Sequence, residues 1–335
     1  MAVRSGGRRR DVTRNDVARL AGVSTAVVSY VVNEGPRPVA PGTRARVLDA
    51  IEKLGYRPNT VARSLITGKS GLIGLVVPDV ENPYFASLAR SVEAAVTDHG
   101  LRMVLAQSTT EALGDLVDSM AGHLVDGILL ATSPAADLLA RVASIRVPLV
   151  KVGVAQPTDP IPAVWPDFEQ GARDAARHLV EHHGHRRVAM VTGESPHESR
   201  ESGWRTVMAE HGLPTDAVVR IPWSTQGGYD AAFVLHDRFP DVTAVFVASD
   251  QQATGLLAGL NRLGWDVPER LALASFDGSR GSRFTIPPLT TVAVSLDAMA
   301  RYAVDELLGA EPASRSFTAT LVVRESCGCA PGGAG

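Results

Sequence analysis

The chain has 335 residues, 45% hydrophobic and 21% charged, which suits a soluble globular protein of two or three domains. No run of 18 or more apolar residues appears, so no membrane-spanning helix is expected. The net charge of −3 splits into +8 over residues 1–70 and −11 over residues 71–335; a basic head on an acidic body suits a nucleic-acid-binding module joined to a second domain, although short basic N-termini are common.

Residues 1–10 hold four arginines, two glycines and a serine and read as a disordered basic tail. No apolar stretch follows them, so they are not a secretory signal, and the expected location is the cytoplasm, in association with the nucleoid. Residues 13–33 read as two short helices joined by a tight turn. Ala18 lets two helices cross closely, Gly22 takes the turn and Val28 locks the second helix on the first, the pattern of a helix-turn-helix. The Pro- and Gly-containing loop at 33–38 cannot be helical. Residues 43–56, with Val47, Leu48, Ile51 and Leu54 on one stripe and Gly55 after it, predict a third helix.

From Leu72 the pattern changes to short apolar runs alternating with amphipathic segments. Strands are expected at 72–78, 101–106, 127–131 and 148–154, separated by helices at 83–99, 113–124 and 137–144. A second series follows: helices at 170–183, 199–210, 229–238 and 253–263 alternate with strands at 188–192, 218–222, 244–247 and 271–276. A last strand, helix and strand fall at 290–296, 298–308 and 317–324. Such alternation implies parallel sheets with helices on both faces. The fold class is therefore an all-α helix-turn-helix headpiece plus an α/β core of two doubly wound parallel-sheet lobes. The Pro-rich segment 157–166 is read as the crossing between the lobes.

Several motifs then carry a resemblance: NDVARLAGVS at 15–24, LGYRPN at 54–59, ARSL at 62–65, VVPD at 76–79 with Asn82 and Pro83, and PPLTT at 287–291. Over residues 11–326 the chain resembles the lactose-repressor and galactose-repressor family of bacterial transcription regulators. The resemblance implies a helix-turn-helix domain at 11–57, a hinge at 58–70 and a periplasmic-binding-protein-like core at 71–330. The core's N-lobe would take about 71–165 and 294–316, and its C-lobe about 166–293 and 317–326. It further implies a homodimer that binds a palindromic operator in double-stranded DNA and responds to a small-molecule effector held between the lobes.

On the DNA side, Ser24 is the expected N-cap of the second helix. Thr25, Ala26 and Tyr30 match the family's base-reading positions, with Ser29 one turn on from the first two; plain helix-surface roles for Thr25 and Ser29 stay open. Tyr30 departs from the arginine of many relatives and cannot fork onto guanine as arginine does. Ala40 stands where relatives usually carry a capping serine, so either Thr43 caps one turn later or the helix start is weaker by about 1 kcal/mol. In the hinge, Asn59 would cap a short helix, Arg63 would lie near the phosphates, and Leu65 matches the leucine wedge that opens the central base step from the minor groove. Packing of Leu65 on the core is the alternative.

On the effector side, Arg200, Asp277 and Trp223 match the family's ligand-binding arginine, ligand-binding aspartate and stacking aromatic. Tyr84 and Phe85 match ring contacts seen in some relatives; Asp167 and Ser249 are further candidates. Lobe packing is the competing role for the aromatics. An arginine, an aspartate and a tryptophan on one cleft favour a sugar or sugar-like effector, with a purine or nucleoside co-repressor as the alternative.

An enzyme is not expected. Gly68, Lys69 and Ser70 echo the end of a phosphate loop, but Arg63 stands where the loop needs glycine. No Gly-x-Ser-x-Gly nucleophile elbow occurs. His178, His182, His183 and His185 cluster, yet no cysteine or carboxylate sits at ligand spacing from them. Cys327 and Cys329 have no further ligand near them in sequence and read as an incidental tail. No metal and no cofactor is therefore expected. A ligand-binding protein with a vestigial headpiece is the remaining rival. No heptad tail follows Arg324 to build a tetramer, but dimer against tetramer stays open.

Overall fold

The computed structural model describes residues 12–32, 37–57, 68–108, 112–123, 125–132, 141–142, 144–145, 147–154, 160–195, 198–309 and 311–330. The basic tail at 1–10, most of the helix expected at 137–144, and the hinge residues Asn59, Arg63 and Leu65 lie outside them. The chain divides into two compact units, residues 1–70 and 71–335.

The first unit is a three-helix cluster. Helix α1 (Arg14–Ala21) starts at a capping box: the Asp16 amide donates to Thr13 Oγ1 at 3.4 Å, and the Thr13 amide to the Asp16 carboxylate at 3.0 Å. It stops at Gly22, whose φ of 61° suits a residue without a side chain. Helix α2 (Thr25–Val32) follows at once. Helix α3 (Pro41–Leu54) begins two residues before the expected Thr43, because Pro41 is pre-set for the first helical position. Ala40 occupies its N-cap with no side-chain hydrogen bond, so Thr43 does not serve as the cap. Val17, Ala18 and Ala21 of α1, Val28 and Val31 of α2, Val47 and Ala50 of α3, and Tyr56 form one buried cluster.

The second unit contains two six-stranded sheets. The first is built from β1 (Leu72–Val77), β2 (Arg102–Gln107), β3 (Gly127–Leu130), β4 (Leu149–Val152), β5 (Ala163–Pro166) and β11 (Arg315–Phe317), in the order β11-β5-β4-β3-β1-β2. The second is built from β6 (Val188–Thr192), β7 (Val218–Arg220), β8 (Ala244–Val247), β9 (Ala272–Asp277), β10 (Thr290–Val294) and β12 (Ala319–Val322), in the order β12-β10-β9-β8-β6-β7. All neighbours pair in parallel except β10 and β12.

Helices α4 (Pro83–Asp98), α5 (Leu113–His123) and α10 (Leu296–Leu308) cover the first sheet; α6 (Phe168–Arg177), α7 (Ser199–Glu210), α8 (Thr225–Arg238) and α9 (Asp250–Leu263) cover the second. Strand β8 shows how the layers form. Ala244 and Phe246 pack with α6 and α7, while Val245 and Val247 pack with α8 and α9 on the opposite face. A strand buried on both faces must be apolar throughout, which is why these strands appear as unbroken hydrophobic runs.

Three expectations change. Residues 163–166 of the Pro-rich crossing form β5. The single strand expected at 317–324 is two short strands, β11 and β12, one in each sheet. Helices α8 and α9 begin at Thr225 and Asp250, earlier than the apolar stripe suggested, because Ser224 and Ser249 cap them; their hydroxyls accept from Gly227 at 2.9 Å and Gln252 at 3.2 Å. The chain thus passes between the sheets three times, after β5, β10 and β11. The first and third passes are tied by the Asp167 amide donating to the Phe317 carbonyl at 2.8 Å.

Candidate effector cleft and DNA-reading helix

Ligands of open α/β sheets sit beyond the carboxyl ends of the strands. Tyr84 opens α4 just past β1, and Asp277 ends β9. Both line a cleft of about 210 Å³, together with Ser87, Arg90, Arg280 and Ser295. Asp277 is buried and holds φ at 116°, the one non-glycine with positive φ among the described residues. Such a conformation costs roughly 1–3 kcal/mol and persists where its surroundings impose it. Here the surroundings are an aspartate the sequence reading missed. Asp250 accepts from Ser275 Oγ at 2.6 Å, Thr291 Oγ1 at 2.7 Å and the Ser279 amide at 2.6 Å, and its own amide lies 3.3 Å from Asp277 Oδ2. Asp250 therefore shapes the turn that presents Asp277.

Arg200 stands beside this turn, in the first turn of α7. Its guanidinium carbon lies 4.2 Å from the Phe168 ring centre, 4.7 Å from Phe276 and 5.5 Å from Trp223. One Nη donates to Glu198 at 2.6 Å; the other is 3.9 Å from Asp277 Oδ1, an ion pair too long for a direct hydrogen bond. Burial pushes the Asp277 carboxyl well above the usual range, only partly offset by Arg200. The Tyr84 phenol is raised as well, chiefly by burial and then by Asp277. Tyr84 Oη and Arg200 Nε have no hydrogen-bond partner among the described residues.

The remaining effector candidates are not among the residues lining this cleft, although Trp223 stands by Arg200 and Phe85 by Tyr84. Trp223 lies against the backbone of Gly193, where any side chain would collide with the indole, and stays 39% exposed. Phe85 meets Tyr84 edge-on at 5.2 Å and packs on the first sheet's core. Asp167 caps α6, accepting from the Gln170 amide at 3.0 Å. Ser249 is buried as the cap of α9. Phe168 and Phe276 around Arg200 were not foreseen, since cation–π partners from two other elements leave no local pattern; Glu198, the N-cap of the same helix two residues before Arg200, was not singled out either.

In the headpiece, Ser24 Oγ accepts from the Val27 amide at 3.4 Å, the expected cap. Thr25 and Ala26 are exposed in the first turn of α2, and Ser29 and Tyr30 are half-buried. Helix α2 carries no charge. The headpiece's cations lie on its other segments: Arg14 and Arg19 on α1, Arg44, Arg46 and Lys53 on α3, and Arg37 and Arg57 outside the helices, all exposed. Short polar groups for base edges with arginines for phosphates are the division of labour of a DNA reader.

A helix-turn-helix module followed by two α/β lobes around a polar cleft defines a ligand-responsive DNA-binding regulator of transcription. More particularly, the chain belongs to the lacI family of bacterial regulatory proteins, whose model matches residues 13–59, while a periplasmic binding protein-like domain matches 157–327. It is 36% identical to catabolite control protein A of Priestia megaterium, over 84% of this chain and 87% of that one. Its structure is similar to a lac repressor dimer bound to operator and the anti-inducer ONPF, with a TM-score of 0.85 and 26% identity over 95% and 99% of the two chains. It also resembles a complex of the transcriptional regulator CelR with cellobiose, with a TM-score of 0.68 and 32% identity over 94% and 99%. No helix among the described residues is long and apolar enough to cross a membrane.

Proposed function

We propose that this chain is a homodimeric repressor whose operator affinity is set by a sugar or sugar-like effector bound against Tyr84, Arg200, Trp223 and Asp277. The carrying observation is the polar set formed by Tyr84 and Asp277 on the cleft wall and Arg200 beside Asp277. Tyr84 and Arg200 offer donors, Asp277 accepts, and the Arg200–Asp277 gap of 3.9 Å leaves both groups room for a ligand hydroxyl. The cellobiose bound by the CelR relative supports the same ligand class. An effector can change operator affinity only by its differential affinity for two states of the core. No catalytic step is assigned to the chain.

On the DNA side, Thr25, Ala26 and Tyr30 read base edges, Ser29 supports them, and Asn59, Arg63 and Leu65 form the hinge that engages the minor groove. The operator-bound lac repressor dimer supports the dimeric reading. So do the apolar side chains exposed on the core, Val80, Val104, Leu105, Phe284 and Ile286, which a second copy would cover. A cytoplasmic, nucleoid-associated location follows from this role.

The test is a thermal-shift panel of mono- and disaccharides, purines and nucleosides on the full chain. A bound sugar at 100 times its Kd adds about 2.7 kcal/mol, a shift of roughly 5–10 °C. The active compound should then change affinity for a palindromic operator in a salt-dependent binding assay. A shift with purines or nucleosides alone would replace the sugar reading. Binding to DNA without sequence preference would remove the repressor reading.

A further inference from the structure

The two cysteines and the histidine run, far apart in sequence, meet in the fold. Helix α6 passes into a single π turn at His178–His182, and the His183 amide donates to the His178 carbonyl at 3.2 Å. In an α-helix residues five apart point about 140° from one another. The wider π turn brings them onto one side, and π turns recur at functional sites. His183 Nε2 therefore sits 3.2 Å from His178 Nε2. On the other side, the chain after β12 makes a 3₁₀ turn at Glu325–Cys327 and reverses at Gly328, whose φ of 100° a side chain would rarely adopt. Cys327 Sγ then lies 3.3 Å from His178 Nε2, while Cys329 Sγ lies 3.7 Å from His178 Nε2 and 3.4 Å from His183 Nε2. All four atoms fall within 4.8 Å of one another.

The four contacts of 3.2–3.7 Å lie near the edges of a tetrahedron around one ion. Zinc–nitrogen and zinc–sulfur bonds of about 2.05 and 2.3 Å imply edges of about 3.3 Å between nitrogens and about 3.6 Å between nitrogen and sulfur. We propose that His178, His183, Cys327 and Cys329 form a closed Cys₂His₂ centre for one zinc-class divalent cation, which fastens the C-terminal segment to the second lobe. The ligand set excludes magnesium and calcium, which take oxygen donors, and four protein ligands leave no open position for catalysis.

The surroundings agree. Neutral imidazoles are the form in which the two rings would ligate. Binding displaces the thiol protons: one M²⁺ replaces two protons, leaving two thiolates and two neutral imidazoles on the metal. Thr290 Oγ1 lies 3.1 Å from Cys327 Sγ and can donate to the thiolate. Thr290 opens β10, whereas Ala293 pairs with Asp277, so the cluster lies at the far end of the strand from the cleft, about 10 Å away along it. The centre is thus separate from the effector site.

The test uses the full chain without a histidine tag. Element analysis after dialysis should find one zinc per chain, and Co²⁺ substitution should give the visible bands of tetrahedral cobalt with a sulfur-to-cobalt charge-transfer band. Cys329→Ser and His183→Ala should lose the metal. His182→Ala, whose ring stacks on His178 at 4.9 Å but is not among the four ligands, should retain it. Chelation should lower the melting midpoint of the unaltered chain and not that of Cys329→Ser. If a variant fails to fold, the cobalt spectrum of the unaltered chain decides alone. Sub-stoichiometric zinc with no cobalt–thiolate band overturns the proposal, as does a Cys327–Cys329 disulfide found by mass in chain purified under reducing conditions.

Discussion

Arg200→Ala removes a cation from between three aromatic rings and two carboxylates. Glu198 and Asp277 side chains are 12% and 6% exposed, so neither can recover its hydration fully. Removing one partner of a buried ion pair costs roughly 3–5 kcal/mol. Two considerations adjust that figure. Asp277 is already held towards its neutral acid by burial, so its loss of Arg200 is cheap. Against this, the stacking on Phe168 and Phe276 adds about 0.5–1 kcal/mol for each ring. The net is about 3 kcal/mol, a fall of roughly 6–12 °C in the melting midpoint of a domain this size. Differential scanning calorimetry of the full chain measures it. Arg200→Lys should fall between the two, since it keeps the charge without the planar stack. Both variants should also lose the thermal shift given by the effector. A midpoint for Arg200→Ala within about 2 °C of the unaltered chain would show that no costly buried pair forms at Arg200.

Asp277→Asn should stabilise the effector-free core at neutral pH, and the gain should shrink as the pH is lowered. The folded carboxyl is raised above its unfolded value of about 3.9, so its contribution is full below that pH and is lost as the pH rises through the folded value. Paired melting curves from pH 7 downward check this, and a gain that grows in acid contradicts it. Ala40→Ser should supply the missing cap of α3, worth about 1 kcal/mol, and slow amide exchange in its first turn; unchanged protection would show that Pro41 alone fixes the helix start. Tyr30→Arg should move operator preference towards guanine at the facing base pair by about 1–3 kcal/mol, read by selection from a randomised half-site; an unchanged consensus would place Tyr30 off the base edges.

The headpiece was legible because its signals are local. Gly22 and Gly55 mark helix ends close to the apolar stripes they follow, and Ala18, Val28 and Val47 fall on the faces that meet in one core. The lobes were legible for a related reason: β1 and β8 are buried on both faces and must be apolar throughout. Errors arose where pairing partners, not propensity, decide the outcome. Residues 163–166 form a strand because β4 and β11 flank them, and residues 315–322 divide because one half meets β5 and the other β10.

The helix-turn-helix, the strand–helix alternation and the residue types of the cleft were thus set by the sequence itself, through interactions spanning one turn or one strand. The role of Asp250 in bending Asp277, the aromatic box around Arg200 and the meeting of His178 and His183 with Cys327 and Cys329 were decided by the tertiary structure. Those contacts join residues up to 151 positions apart, and no periodicity along the chain records a distance that only folding creates.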